Sequence, residues 1–251
     1  MGNGLKAVLF NFNGVIIKDE VIQQELIDQL LIEENMRPKP QEYRAVCLGR
    51  SDRACIDELF SRRGRVLAAE DLDILLERKS QRYCAQLDMM ETLPVYAGVT
   101  DLAYKLRVAN VPMAVVGGAV RAEIEQVLER TDLAKYFSVI VGSNDTTTSK
   151  PDPTGYLKAI DELHQQYPGV DSASAIAIED TFEGIEAAKA AGLSVVGVAN
   201  TYPYHMIQRQ ANWAVDYLNE LELDRVEQVL ATDSDRGSVI LEPDSEVQRQ
   251  S

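Results

Sequence analysis

The chain is predicted to fold as an α/β protein built on a parallel sheet, and three observations carry that prediction. Apolar stretches of strand length alternate with segments of helical spacing along most of the sequence, the pattern of a parallel α/β sheet. Three of those stretches end in polar or glycine-punctuated turns: Asn11-Phe12-Asn13-Gly14, Gly117-Gly118 and Glu179-Asp180. Open α/β sheets assemble their sites at that carboxyl edge. Between the first stretch and the second, residues 18–92 show helical periodicity and no convincing strand.

The first strand is read over residues 7–10, Ala-Val-Leu-Phe, apolar throughout as a strand covered on both faces requires. Asn11 and Asn13 follow two apart, so extended geometry points both to one side. In the helical stretch, Val21, Leu26, Ile27, Leu30 and Leu31 mark one helix, and Ile56, Leu59 and Phe60 mark another. Leu72, Ile74, Leu75 and Leu76 begin a third, which continues toward Tyr83 and Leu87. Alternation then resumes: a helix over 100–109, a strand over 113–116, a helix over 119–129 and a strand over 138–141. A helix over 154–164, a strand over 175–178 and a helix over 182–191 follow, with Gly192 as the C-cap of the last. Strands over 194–198 and, more weakly, 213–215 complete the sheet. Residues 232–251 are polar with little periodicity and are expected to be a disordered tail.

Composition bounds the function. A chain of 251 residues holds one sizeable core and a smaller second unit. Its net charge of −15 argues against nucleic acid and anionic membrane surfaces as partners. No apolar run approaches the roughly 20 residues needed to cross a bilayer. No secretory leader is expected, because residues 7–10 run straight into the polar turn. The three cysteines, Cys47, Cys55 and Cys84, lack metal-ligand spacing and are expected to be reduced, in a cytoplasmic protein.

The motifs resemble those of the haloacid dehalogenase-like superfamily, in its β-phosphoglucomutase-like branch. Residues 8–16, Val-Leu-Phe-Asn-Phe-Asn-Gly-Val-Ile, look like the nucleophile loop with two asparagines where two aspartates stand. Asp19-Glu20 looks like the acidic ending of that motif, and Ser149-Lys150-Pro151-Asp152-Pro153 like the third motif. Ile176-Ala177-Ile178-Glu179-Asp180-Thr181 looks like the fourth, whose acidic pair holds Mg²⁺. The best match to the second motif is Met113-Ala114-Val115-Val116-Gly117-Gly118, with Gly117 in place of a hydroxyl residue. The resemblance implies a Rossmann-like core over residues 1–17 and 93–231 and a helical cap over 18–92.

In the resembled family a carboxylate attacks phosphorus and a second aspartate protonates the leaving group. Asn11 is a weak nucleophile, and the amide of Asn13 has no readily transferable proton. Losing general acid–base help alone costs about 10²–10⁴ in rate, or about 3–5 kcal/mol. Gly117 removes a hydroxyl that would bind the phosphoryl group. The candidate metal ligands are Asn11, Glu179 and Asp180; Mg²⁺ binding is expected to be weakened by the loss of two negative charges. Lys150, Glu179 and Asp180 form either a structural ion-pair cluster or the remnant of an anion site, helped by backbone N–H groups at Gly117 and Gly118. Arg50 and Arg53 lie where the related cap touches substrate. His164 and His205 lack ligand spacing. Two functions follow as expectations: a catalytically impaired protein that binds a protein partner or small phosphorylated ligand, or a Mg²⁺-dependent phosphatase or phosphomutase of a small phosphorylated metabolite.

Overall fold

The computed structural model describes residues 4–228 and 230. Strand β1, Ala7–Asn11, is followed by four helices: α1 Glu20–Glu33, α2 Glu42–Val46, α3 Asp52–Ser61 and α4 Ala69–Asp88. Then come α5 Val99–Val108, β2 Met113–Val116, α6 Arg121–Arg130, β3 Phe137–Val141, α7 Thr154–Gln166 and β4 Ala175–Glu179. Next come α8 Phe182–Ala190, β5 Ser194–Val198, α9 Tyr204–Ile207 and β6 Trp213–Val215, followed by a 3-10 turn at Leu218–Glu220. The strands form one parallel six-stranded sheet in the order β3-β2-β1-β4-β5-β6. The fold is α/β and Rossmann-like.

Strand alternation explains the two apolar layers. Val8, Phe10, Val115, Ile176 and Ile178 face one side and pack with Leu102 and Leu106 of α5 and Ile124 and Val127 of α6. Leu9, Ala114, Val116, Ala175 and Ala177 face the other, against Tyr156 and Leu163 of α7 and Ile185 and Ala188 of α8. Every residue of β1, β2 and β4 is buried, as central parallel strands covered by helices require.

Helices α1 to α4 carry a separate apolar cluster in which Ile27, Leu30, Ile56, Leu59, Phe60 and Leu75 meet. Leu26 of α1 and Tyr83 and Leu87 of α4 instead join the layer under the sheet. Two residues assigned to apolar faces lie outside: Val21 is 70% and Ile74 54% exposed. The five-residue α2 went unanticipated, being too short to show a helical period. The cysteine expectation is also corrected. Cys47 and Cys55 are joined in a disulfide across the start of α3, with Cα atoms 4.7 Å apart; eight residues of separation gave no hint that a turn would bring them together. Cys84 is free. No helix among the described residues is long and apolar enough to cross a membrane. The expected tail, 232–251, lies outside the described residues.

Candidate functional site

Register sets the site. Asn11 ends β1 beside Val116 of β2, and Phe10 pairs with Ile178, so Glu179 and Asp180 come to the same edge. Gly14, at φ +82°, turns the chain immediately after Asn13; a Cβ there would stand 1.9 Å from Asp180 Oδ2, so only glycine admits that approach. The loop carrying Lys150, with a cis bond to Pro151, delivers its ammonium to the centre. Lys150 Nζ donates to Asn11 Oδ1 at 2.8 Å, to Glu179 Oε1 at 2.5 Å and to the Val116 carbonyl at 3.3 Å.

The amide of Asn11 has one possible orientation. Its Oδ1 faces Lys150, which can only donate. Its Nδ2 faces two acceptors, the Asn13 carbonyl at 2.7 Å and Asp180 Oδ1 at 2.9 Å. A carboxylate would set oxygen against oxygen at both contacts. Asn13 is fixed likewise: its Nδ2 donates to Asp19 Oδ2 at 2.8 Å, an atom that also accepts from Gln23 Nε2 at 3.0 Å and Tyr83 Oη at 2.7 Å. The surroundings therefore fit amides at both positions.

Electrostatics reinforce this. Burial, then the nearby Glu179 charge, pushes the Asp180 carboxyl up to about 7. Burial likewise raises Asp19, against the hydrogen bonds from Tyr83 and Gln23 that favour its charged form. Burial and the adjacent Glu179 hold the Tyr156 hydroxyl well above its usual range, so it stays a donor to Glu179 Oε1.

Mg²⁺ takes oxygen ligands, and the side-chain oxygens at this edge are engaged within the protein. Glu179, fully buried, is turned to Lys150 and Tyr156. Asp180 accepts from Asn11 on one oxygen and from Thr201 Oγ1 on the other. Among the described residues no group of three or more His, Cys, Asp or Glu side chains is placed to hold a metal. The oxygens of the expected ligand set, Asn11, Glu179 and Asp180, take part in internal hydrogen bonds.

The cavity between helices α1 to α3 and the sheet edge is lined by Asn11, Asn13, Arg50, Gly118, Lys150 and Asp180. Of the predicted site residues, Gly117 borders an adjoining cavity with Lys150 instead. Its N–H is not free for an anion, because it donates to the Val141 carbonyl. A Cβ on Gly117 would lie 2.9 Å from both Phe12 Cβ and Ile124 Cδ1. Arg53 is not brought to the cavity; it pairs with Asp73 on the outside of α3 and α4. Arg50 is, with its guanidinium donating to the Val46 carbonyl.

Asp19, Gln23, Tyr43, Tyr96 and Thr201, also in the lining, were not singled out as ligand-binding residues. Asp19 had a sequence signal, as the acidic end of the first motif; the aromatic and hydroxyl residues had none. The helices are docked closely over the cavity. Asp52 N donates to the Gly118 carbonyl at 3.0 Å and Ser51 N to Ser149 Oγ at 2.7 Å. A buried triad ties α3 and α4 to α6: Lys79 Nζ donates to Asp52 Oδ2 at 2.6 Å and Glu123 Oε2 at 3.1 Å. Burial alone would lower the Lys79 ammonium, yet the charges of Asp52 and Glu123 raise it. One cation cannot neutralise two acids. Burial pushes the excess onto Glu123, whose carboxyl rises to about 7 despite Lys79.

Comparison with known proteins agrees with the geometry. Residues 8–198 match the family model described as haloacid dehalogenase-like hydrolase. The chain is 31% identical over 144 residues to a bifunctional riboflavin kinase/FMN phosphatase of Arabidopsis thaliana, covering 57% of this chain but only 36% of that protein. It is 28% identical over 197 residues to validoxylamine A 7′-phosphate phosphatase of Streptomyces hygroscopicus subsp. limoneus, covering 78% of this chain and 87% of that one. Two solved structures share the fold. β-Phosphoglucomutase from Clostridium difficile gives a TM-score of 0.78 at 20% identity, covering 92% of this chain and 99% of that one. An Asp→Asn mutant of CbbY from Rhodobacter sphaeroides, in complex with xylulose-(1,5)bisphosphate, gives 0.75 at 23% identity, covering 86% and 96%. The chain belongs to the haloacid dehalogenase-like hydrolase family, and its structural neighbours include the β-phosphoglucomutases.

Proposed function

We propose that this chain is a binding or regulatory member of its family, which holds a small phosphorylated ligand at the β1–β4 edge without turning it over efficiently. One observation carries the reading: the position of the attacking carboxylate holds the Asn11 amide, with Oδ1 against Lys150 and Nδ2 against Asn13 and Asp180. A neutral amide in that network has no basic oxygen with which to form an acyl-phosphate. Asn13, bound to Asp19, supplies no acidic proton. The relatives' names, which are those of phosphatases acting on phosphorylated small molecules, support the ligand class. The Asp→Asn mutant of CbbY holds a bisphosphate, so an asparagine is compatible with ester binding in this fold. A protein partner that senses the loaded state belongs to the same proposal, as does a cytoplasmic location.

A second reading, a Mg²⁺-dependent phosphatase or phosphomutase of a small metabolite, is favoured by those same names and by the retained Lys150, Glu179 and Asp180. A phosphatase panel with Mg²⁺ separates the two. It compares the unmodified chain with Asn11→Asp/Asn13→Asp, with and without Gly117→Ser. The double variant is needed because a side chain at position 117 must displace Ile124 or Phe12. Activity confined to the variants supports the binding reading. Turnover above about 1 s⁻¹ by the unmodified chain, within the ordinary enzyme range, overturns it in favour of the second.

A further inference from the structure

On the helical side of the cavity, two side chains already bonded to each other leave acceptors without a partner among the described residues. They are Asp19 Oδ1 and Gln23 Oε1. Asp19 is 2% and Gln23 4% exposed. Neither can be relieved by turning over. Asp19 Oδ2 is filled by Asn13, Gln23 and Tyr83. Gln23 must keep Nε2 toward that carboxylate, which leaves its Oε1 as the orphan. A buried carboxylate oxygen with nothing to accept is costly, more so than a neutral group.

The charge around the cavity points the same way. Its lining contributes Asp19, Glu20, Asp52 and Asp180 against Arg50 and Lys150. Lys150 is matched by Glu179, which stands behind the lining, Asp52 by Lys79 and Glu20 by Arg44. What remains is Asp19 and Asp180 against Arg50, a small negative surplus of which Asp19 is the buried member on the helical side.

We propose that Asp19 and Gln23 form an ammonium subsite, so that the ligand is a small phosphorylated primary amine. Its ammonium meets Asp19 Oδ1 and Gln23 Oε1, and its phosphoryl group lies toward Lys150 and Gly118. One ammonium carries three N–H donors, so a single atom serves both acceptors and neutralises the carboxylate. A hydroxyl offers one donor and leaves the charge in place. The phosphoryl end rests on the function proposed above; the ammonium end rests on the orphaned acceptors and the charge surplus alone.

Calorimetric titration of the full chain tests both ends with four probes: O-phosphoethanolamine, ethanolamine, 2-phosphoglycolate and inorganic phosphate. O-Phosphoethanolamine is expected to bind at least about tenfold tighter than 2-phosphoglycolate, about 1.4 kcal/mol. Asp19→Asn, which turns an N–H toward the ammonium, is expected to erase that preference while leaving inorganic phosphate within about twofold. Gln23→Met, which removes Oε1 and leaves the Asp19 carboxylate in place, is expected to reduce the preference too, and it keeps the test valid if Asp19→Asn does not fold. Equal binding of the two esters, or a preference surviving in both variants, overturns the ammonium subsite and leaves the phosphorylated-ligand reading standing. Binding of ethanolamine with no gain from the phosphoryl group supports the subsite and overturns that reading. Binding of none of the probes overturns both.

Discussion

Asn11→Asp is the most direct perturbation of the site, and its cost follows from the contacts. The substitution sets oxygen against the Asn13 carbonyl, 2.7 Å from the present Nδ2, and against Asp180 Oδ1 at 2.9 Å. Two unit charges 2.9 Å apart repel by about 6 kcal/mol at an effective dielectric of about 20. Lys150, 2.8 Å away, attracts the new carboxylate by a similar amount, although it already serves Glu179. The Coulomb contributions nearly cancel. What is left is the loss of two donated hydrogen bonds, about 1 kcal/mol each, and a further charge placed where Asn11 is only 5% exposed. Together these cost about 3–5 kcal/mol. For a chain of this size that is a fall in melting temperature of about 10 °C. Mg²⁺ restores the balance of charge, and at about a hundred times its Kd it returns about 2.7 kcal/mol. The assay is a thermal melt of parent and variant in EDTA and in excess Mg²⁺. The parent should be nearly indifferent to the ion and the variant strongly dependent on it. A variant as stable as the parent in EDTA, or equal stabilisation of both by Mg²⁺, refutes the claim that the site is fitted to an amide.

Three further outcomes are expected. Glu123, with a folded-state value of about 7 against a usual 4.5, binds a proton more tightly when folded. Its stabilising contribution is therefore complete below about pH 4.5 and lost as pH rises through about 7. Glu123→Gln should gain up to about 3 kcal/mol over the parent at about pH 8 and little at pH 5 by urea denaturation; a constant difference between the two pH values would contradict this. Lys79→Met leaves Glu123 and Asp52 without their cation, so a loss of about 3–5 kcal/mol is expected, largest above about pH 7. A loss below about 1 kcal/mol there would show the triad is not the fastening between α4 and α6. Gly118→Ala places a Cβ 2.5 Å from the Arg50 carbonyl oxygen, a backbone atom that cannot rotate away, and should push residues 50–52 off the sheet edge. Amide exchange at Asp52 should quicken by about tenfold or more, for a loss of about 1–3 kcal/mol; unchanged protection would show that the close approach is not needed.

The sheet was legible because central parallel strands leave a strong mark. Strands 113–116, 194–198 and 213–215 coincide with β2, β5 and β6, and the other three differ by a residue at one end. The carboxyl-edge motifs were legible for the same reason, since strand ends fix where side chains gather. Contacts across long sequence separations were not. Nothing local pairs Asn11 with Asp180, 169 residues away, or tells Glu179 to face Lys150 rather than the cavity. Lys79 did leave a trace. It sits three and four residues from Leu76, Leu75 and Tyr83 on the apolar stripe of α4, where a charge has to be paired. Its partner Glu123 sits similarly beside Ile124 and Val127 on α6. The expectation for residue 117 fell short in a different way: sequence showed the absent hydroxyl but not what had closed around the space.

Phe12 and Ile124 stand 2.9 Å from where a Cβ on Gly117 would be, which ties the identity of that residue to its two neighbours. A single substitution at 117 is therefore not accommodated unless that packing loosens first. A larger residue there would need matched changes in the turn after β1 and in α6, where Phe12 and Ile124 sit.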